Sequence, residues 1–303
     1  MKHAAEAKTP NGKAAETAYD GIIPTGWLTA YGRTFSDIPF SQEVFNELEK
    51  VRLEGGSTEV LDEMKDTKMA PHFEARHKLI NKLIRQTGIH QVLEIAAGLS
   101  TRGLELSSDG SIEYVEVDLP SMMADKRKVV QALEDTGTLK VGANLHIENG
   151  SALDLDDLVR ATSHLKADKP IVVVNEGLMR YLTFPEKEIY VKNVHQLLDQ
   201  FGGVWITADI SLPKPKVIYK GDDVMAGQRQ RIAEITGKDI KKNLFKDKED
   251  AKRFFEGLGF SVESHSFLEV TQDLTSPQEL GFPEDYVEAI NGSAVAFVMR
   301  PVK

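Results

Sequence analysis

The run Val92-Leu93-Glu94-Ile95-Ala96-Ala97-Gly98-Leu99-Ser100-Thr101-Arg102-Gly103 passes from branched apolar residues into small ones and then into a helix start. Small side chains let a ligand approach the backbone, and the first turn of a helix offers unpaired N–H groups. A tight strand-to-helix turn also needs small residues for packing alone. Roughly 20 residues further on, Tyr114-Val115-Glu116-Val117-Asp118-Leu119-Pro120 ends a second apolar run on an acid, the spacing at which a carboxylate accepts hydrogen bonds from ribose hydroxyls. The alternative for Asp118 is a carboxylate at the N-terminus of the helix that Pro120 opens. Arg76 shares a helical stripe with Phe73, Ile80 and Leu83. A guanidinium on a core-facing stripe needs an anion: the carboxylate of an amino-acid-like cofactor, a salt bridge to Glu94, or solvent at the helix end. A fourth stretch, Asn175-Glu176-Gly177-Leu178-Met179-Arg180-Tyr181-Leu182, ends an apolar run on a polar pair and a glycine. Glu176 is thereby placed to meet a cofactor amine, to line a cleft, or to act as a structural ion-pair partner.

The elements that must position these residues follow from hydrophobic period. Helical signals run from Ser41 to about Thr87 with a break at Glu54-Gly55-Gly56, and Gly88 closes the last helix. After Gly88, strands at Gln91–Ile95, Ile112–Val117, Asn144–Glu148, Ile171–Asn175 and Val204–Ala208 alternate with helices near Ser100–Leu106, Ser121–Thr136, Asp154–Leu165 and Pro185–Phe201. This alternation predicts a parallel sheet covered on both faces, with the all-apolar Ile171–Val174 at its centre. Phe260–Val270 and Ser293–Arg300 read as late strands that would add an antiparallel hairpin at the sheet edge. No strand is evident between Ser211 and Asn243, and this insertion would hang over the carboxyl ends of the strands, where α/β proteins bind ligands. The organisation expected is a mobile tail over 1–20, a helical N-terminal cap over 21–88, and a main domain over 89–303 with a lid insertion at about 211–245.

Composition narrows the function classes. With no cysteine among 303 residues, disulfides, thiolate metal sites and cysteine nucleophiles are excluded, and no metal site is expected. Acidic residues number 47 against 37 basic ones, and a net charge of -10 argues against a broad nucleic-acid surface. No run of 18 apolar residues exists to span a membrane, and the first 20 residues lack the apolar core of a secretory signal, so a cytoplasmic protein is expected.

The segments FEAR (Phe73–Arg76), LEIAAGLSTRG, YVEVDLP and NEGLMRYL, in this order and spacing, resemble the leucine carboxyl methyltransferase family, which includes the tetracenomycin-type polyketide O-methyltransferases. The resemblance runs from about Trp27 to Arg300. It implies a seven-stranded, mostly parallel, Rossmann-like methyltransferase sheet whose N-terminal helices and post-fifth-strand insertion cover the site, and S-adenosyl-L-methionine as methyl donor. By motif position, Arg76 would hold the cofactor carboxylate, and Ala96 and Gly98 would pass beneath the methionine part. Asp118 would bind the ribose, Ser151 and Ala152 would flank the adenine, and Glu176 would close the methionine side. Family members often carry glycine where this chain has Ala96, and an extended backbone there would accommodate the methyl group. An acidic residue is common near the adenine, and Asp154 could supply it in place of the Ser151-Ala152 pair.

Methyl transfer from a sulfonium needs alignment and exclusion of water more than proton transfer. A carboxylate acceptor is already ionised; a hydroxyl needs a base or a stabilised oxyanion, for which Tyr181, His72 and His77 are the candidates, Tyr181 first. The acceptor expected is a small molecule, anionic or carrier-bound. Pro213–Arg253 carries 12 basic against 7 acidic residues in an acidic chain, although these charges also suit a solvated helical surface. Two other classes stay open: a catalytically silent S-adenosylmethionine-binding protein, and a nicotinamide-dependent oxidoreductase, which would want a G-x-G-x-x-G turn that Ala96–Thr101 lacks.

Overall fold

A computed structural model describes residues 23–54, 65–236 and 240–302. The expected tail and Gly55-Gly56 lie outside these. Seven strands form one sheet: β1 (Gln91–Ile95), β2 (Glu113–Asp118), β3 (Leu145–Asn149), β4 (Ile171–Asn175), β5 (Gly203–Thr207), and, after a small hairpin of β6 (Ile218–Tyr219) and β7 (Asp222–Asp223), β8 (Phe260–Ser266) and β9 (Val295–Pro301). Their order is β3-β2-β1-β4-β5-β9-β8. The first five pair in parallel, whereas β9 runs antiparallel to both β5 and β8. The strand order reverses between β1 and β4, and their carboxyl ends open a crevice at that switch point. This is a Rossmann-like methyltransferase fold.

The helices are α1 (Ile23–Arg33), α2 (Ser41–Glu54), α3 (Ala70–Thr87), α4 (Arg102–Ser107), α5 (Pro120–Asp135), α6 (Leu155–Ala161), α7 (Phe184–Phe201), α8 (Val224–Thr236), α9 (Lys248–Gly257), α10 (Ser276–Leu280) and α11 (Glu284–Asn291). Alternation along the strands divides the core in two. Val172 and Val174 pack with Leu79, Ile80 and Leu83 of α3 and Val129 of α5 on one face; Ile171 and Val173 pack with Leu158 of α6 and Val191 and Val194 of α7 on the other. The stripe on α3 thus faces the sheet, and Gly88 ends that helix in a left-handed conformation, φ 65°. Thr183 opens α7 with a reciprocal cap to Glu186, directly after the Asn175–Leu182 segment.

Three local differences from the sequence expectations have physical causes. The stretch between Ser211 and Asn243 does contain strands, β6 and β7. They are two residues each, joined by Lys220 and Gly221 at φ 49° and 88°, positive at both central positions as tight hairpin turns require. The strand expected over Phe260–Val270 stops at Ser266, whose side chain accepts from the Leu268 N–H at 3.2 Å and starts a 3-10 helix over Phe267–Asp273 that buries Phe267 and Val270. Helix α1 lies before the first helical signal seen in the sequence; it buries Trp27 and Ala30 against α2 and α3.

Candidate functional site

The turn after β1 is built from two left-handed residues. Ala96 has φ 55° and Gly98 φ 51°. Ala96 is therefore not in the extended conformation that would accommodate its methyl group. The reversal aims the Ala97 N–H at the Val117 carbonyl (3.1 Å) and the Gly98 N–H at Asp118 Oδ2 (2.7 Å), which pins β1 to the end of β2. Asp118 Oδ1 accepts from the adjacent Leu119 N–H at 2.7 Å. Helix α5 has no side-chain cap, so Asp118 is not its capping residue. Burial at the strand end raises the Asp118 pKa, against the two backbone N–H groups that favour its charge.

Glu176 sits at the hub of a buried ionic cluster. Its Oε1 meets Arg33 Nη2, and Arg76 Nη2 at 2.8 Å; its Oε2 meets Arg102 Nη2 at 2.8 Å. Arg102, with no exposed surface, also pairs through Nη1 with Glu94 and through Nε with Asn81 Oδ1 at 2.8 Å. Glu94 takes the Tyr114 hydroxyl at 2.7 Å. Arg76 therefore pairs with Glu176, and the Glu94 partner is Arg102. Burial opposes ionisation of Glu176, but the three guanidiniums outweigh it and hold its carboxyl well below the usual range. Burial, only partly offset by Glu176, and repulsion from Arg76 and Arg102 draw Arg33 down to about 10. Three cations face two carboxylates here, and the Nε groups of Arg33 and Arg76 have no hydrogen-bond partner.

All eight residues singled out as a site, Arg76, Ala96, Gly98, Asp118, Ser151, Ala152, Glu176 and Tyr181, line one cavity at the carboxyl ends of β1 to β4. Arg33, Met122 and Arg231 line it too. Ser151 is held by its N–H to Asp157 Oδ2 (2.9 Å), and the Ala152 carbonyl accepts from Asn193 at 3.1 Å. Asp154 instead caps α6 and is absent from the wall. The Tyr181 hydroxyl donates to Thr25 Oγ1 at 3.1 Å, and burial pushes its pKa up. The two histidines lie elsewhere. His77 contacts Glu105 Oε2 at 2.9 Å, and burial lowers it to about 4. His72 lines an adjoining cavity, and burial together with Lys214 holds it well below its usual value. Arg33 and Arg102 were not singled out by sequence. The only trace of Arg102 is its place at the end of the small-residue turn; Arg33 carries no comparable signal.

Over residues 34–195, more than half its length, this chain matches the leucine carboxyl methyltransferase family, and it belongs to that family. It is thus an S-adenosylmethionine-dependent-methyltransferase-like protein. A candidate S-adenosyl-L-methionine-dependent methyltransferase of Mycolicibacterium smegmatis is 28% identical over 153 residues, 48% of this chain and 48% of that protein. The chain therefore matches about half the length of that relative. A DUF574-family protein from Streptomyces avermitilis shares the fold, with a TM-score of 0.53, 15% identity, and 92% of this chain and 97% of that one covered. Among the described residues no helix is long and apolar enough to cross a membrane.

Proposed function

We propose that this protein binds S-adenosyl-L-methionine in the cavity above β1 to β4 and methylates an oxygen, a carboxylate ahead of a hydroxyl, on a small molecule. The observation that carries the reading is the cation excess around Glu176 with two unpartnered guanidinium N–H groups on the cavity wall, beside Asp118 at the end of β2. Arg33 and Arg76 suit the cofactor carboxylate, Glu176 its ammonium, and Asp118 the ribose hydroxyls. Ala96 and Gly98 present bare backbone beneath it, and Ser151 and Ala152 flank the adenine. When bound, the cofactor supplies an electrophilic methyl group.

The protein's own part is orientation and exclusion of water. Tyr181 stays protonated and serves as a hydrogen-bond donor. His77 is buried away from the cavity and His72 resists protonation, so none of the three candidate bases is suited to deprotonating a hydroxyl. An acceptor that is already ionised fits this set best. The helical cap over 21–88 and the insertion over 211–245 are proposed to close the site, since Thr25, Leu28 and Ile232 stand on its wall. The motif set supports the tetracenomycin-type branch of the family. The test is a methyl-transfer assay offering aromatic carboxylates and phenols in parallel between pH 6 and 9. The expected result is ester formation with a flat pH profile. Transfer to phenols alone would overturn the carboxylate preference, and cofactor binding without transfer to any acceptor would make the protein a silent binder.

A further inference from the structure

A second cavity adjoins the first and shares Arg76, Arg180 and Gln228 with it. Its volume is about 450 Å3, within the range of small-molecule sites. Leu212, Leu244, Phe267, Ile290 and Val295 supply apolar lining, with His72 stacked on Phe267 at 5.1 Å. Cations outnumber acids in the rest of the lining. Arg76, Arg180, Lys214, Arg229 and Lys241 line it, with Asp209 as the single carboxylate on its wall among the described residues. Asp209 Oδ2 accepts from the Met179 N–H, and its Oδ1, which has no hydrogen bond, stands 3.8 Å from Arg180 Nε. Lys214 makes its hydrogen bond not to an acid but to the imidazole of His72, Nζ to Nε2 at 2.9 Å, while His72 Nδ1 meets Asn291 Oδ1 at 3.0 Å. That pattern fits a neutral imidazole accepting from an ammonium. No carboxylate of the described residues pairs with Lys214 or Arg229.

Hydrogen-bonding capacity is left over at the same place. Arg180 Nε and the Ser211 hydroxyl are buried with no hydrogen-bond partner, and both residues line the cavity. Ser211 is 6% exposed and is held at φ 38°, a left-handed conformation that a serine seldom adopts. Burial and the neighbouring cations Arg180 and Arg76 keep the Lys214 pKa well below that of a free lysine. Lys214 and Arg229, cations without a carboxylate partner among the described residues, are costly beside Arg180 and Arg76, and an anion seated among them relieves repulsion and satisfies the spare donors together.

We infer that this second cavity holds an organic anion, a carboxylate or phosphate on an apolar body, and forms the acceptor subsite beside the cofactor cavity. Its place in catalysis rests on the methyltransferase reading above; its ligand chemistry does not. The ammonium of Lys214 and the guanidiniums of Arg180 and Arg229 take the charge, and the apolar lining at Phe267 and Ile290 takes the body.

Calorimetric titration of the full chain with benzoate, phenyl phosphate and benzamide, each with and without S-adenosylhomocysteine, tests this. At least one anion is expected to bind tenfold or more tightly than neutral benzamide, and the stronger of the two identifies the anionic group. Lys214→Met and Arg229→Met should each weaken it fivefold or more, with melting temperature and S-adenosylhomocysteine affinity unchanged. Failure of both anions to bind, equal binding of benzamide, or wild-type anion affinity in both variants would overturn the inference. Lys214-dependent anion binding in a protein that ignores S-adenosylhomocysteine would uphold the anion site and sink the methyltransferase reading alone.

Discussion

Replacing Arg76 and Arg102 one at a time by methionine should produce opposite results, although both guanidiniums touch Glu176. Arg102→Met removes the partner of two carboxylates, leaves Glu94 with the Tyr114 hydroxyl alone, and strips Asn81 Oδ1 of its donor. Breaking one side of a buried ion pair costs about 3–5 kcal/mol. At roughly 2–4 °C per kcal/mol for a domain of this order of size, the empty protein should melt roughly 6–20 °C lower. Arg76→Met changes three cations and two carboxylates into two and two, and Glu176 keeps Arg33 and Arg102. The apo melting temperature should then hold or rise. S-adenosylhomocysteine affinity should fall about 10- to 100-fold, the equivalent of one charge-assisted hydrogen bond. Arg76→Lys should lose most of that affinity too, because an ammonium lacks the planar fork. Differential scanning calorimetry and ligand titration on the three variants read this directly. If Arg76→Met destabilises the apo protein as much as Arg102→Met and binds the ligand normally, Arg76 is structural and the cofactor role assigned to it is wrong.

Further outcomes follow from neighbouring residues. Asp118→Ala should weaken S-adenosylhomocysteine binding about 10- to 100-fold in a folded protein, measured by titration; unchanged affinity would remove Asp118 from the ribose site. Ala96→Gly should raise apo stability by up to about 1 kcal/mol, since relief of the left-handed strain outweighs the added chain entropy of glycine; a clear drop in melting temperature would contradict the φ 55° turn. His77 is held neutral by burial, with a folded pKa of about 4 against 6.5 unfolded, so its contribution is present above pH 6.5 and is lost as pH falls toward 4. Melting temperature should decline across that window, and His77→Gln should flatten part of the decline; identical profiles would refute this. Tyr181→Phe should reduce kcat/KM by less than about tenfold without adding a pH dependence, because a protonated donor, not a base, is lost.

The five parallel strands were legible to within a residue or two: β4 is an apolar run buried throughout, as suits a central strand, and the others follow from the regular alternation with helices, even β3, an edge strand that is mostly half-buried. The hairpin of β6 and β7 was not, since strands of two residues show no alternation and a Lys-Gly turn lacks the usual Asn-Gly signal. The candidate site was legible as a set of positions on one cavity: strand ends and one core-facing arginine converge there by topology alone. Its pairings were not. Arg76 could be seen to need an anion, but Glu94 and Glu176 compete on adjacent strands, and only packing hands Glu94 to Arg102. Arg33 stayed hidden because its partner Glu176 lies 143 residues away and no local spacing links the two, and the left-handed turn at Ala96 could not be read because it is imposed by the hydrogen bonds of Ala97 and Gly98 to β2, not by local preference.

The central claim is that the cavity over β1 to β4 takes S-adenosylmethionine. Titration calorimetry of the full chain against S-adenosylhomocysteine and NADH in parallel tests it most directly. Saturable binding of S-adenosylhomocysteine, abolished or strongly weakened in Arg76→Met, with no binding of NADH, is the predicted result; binding of NADH with no response to millimolar S-adenosylhomocysteine would contradict the account.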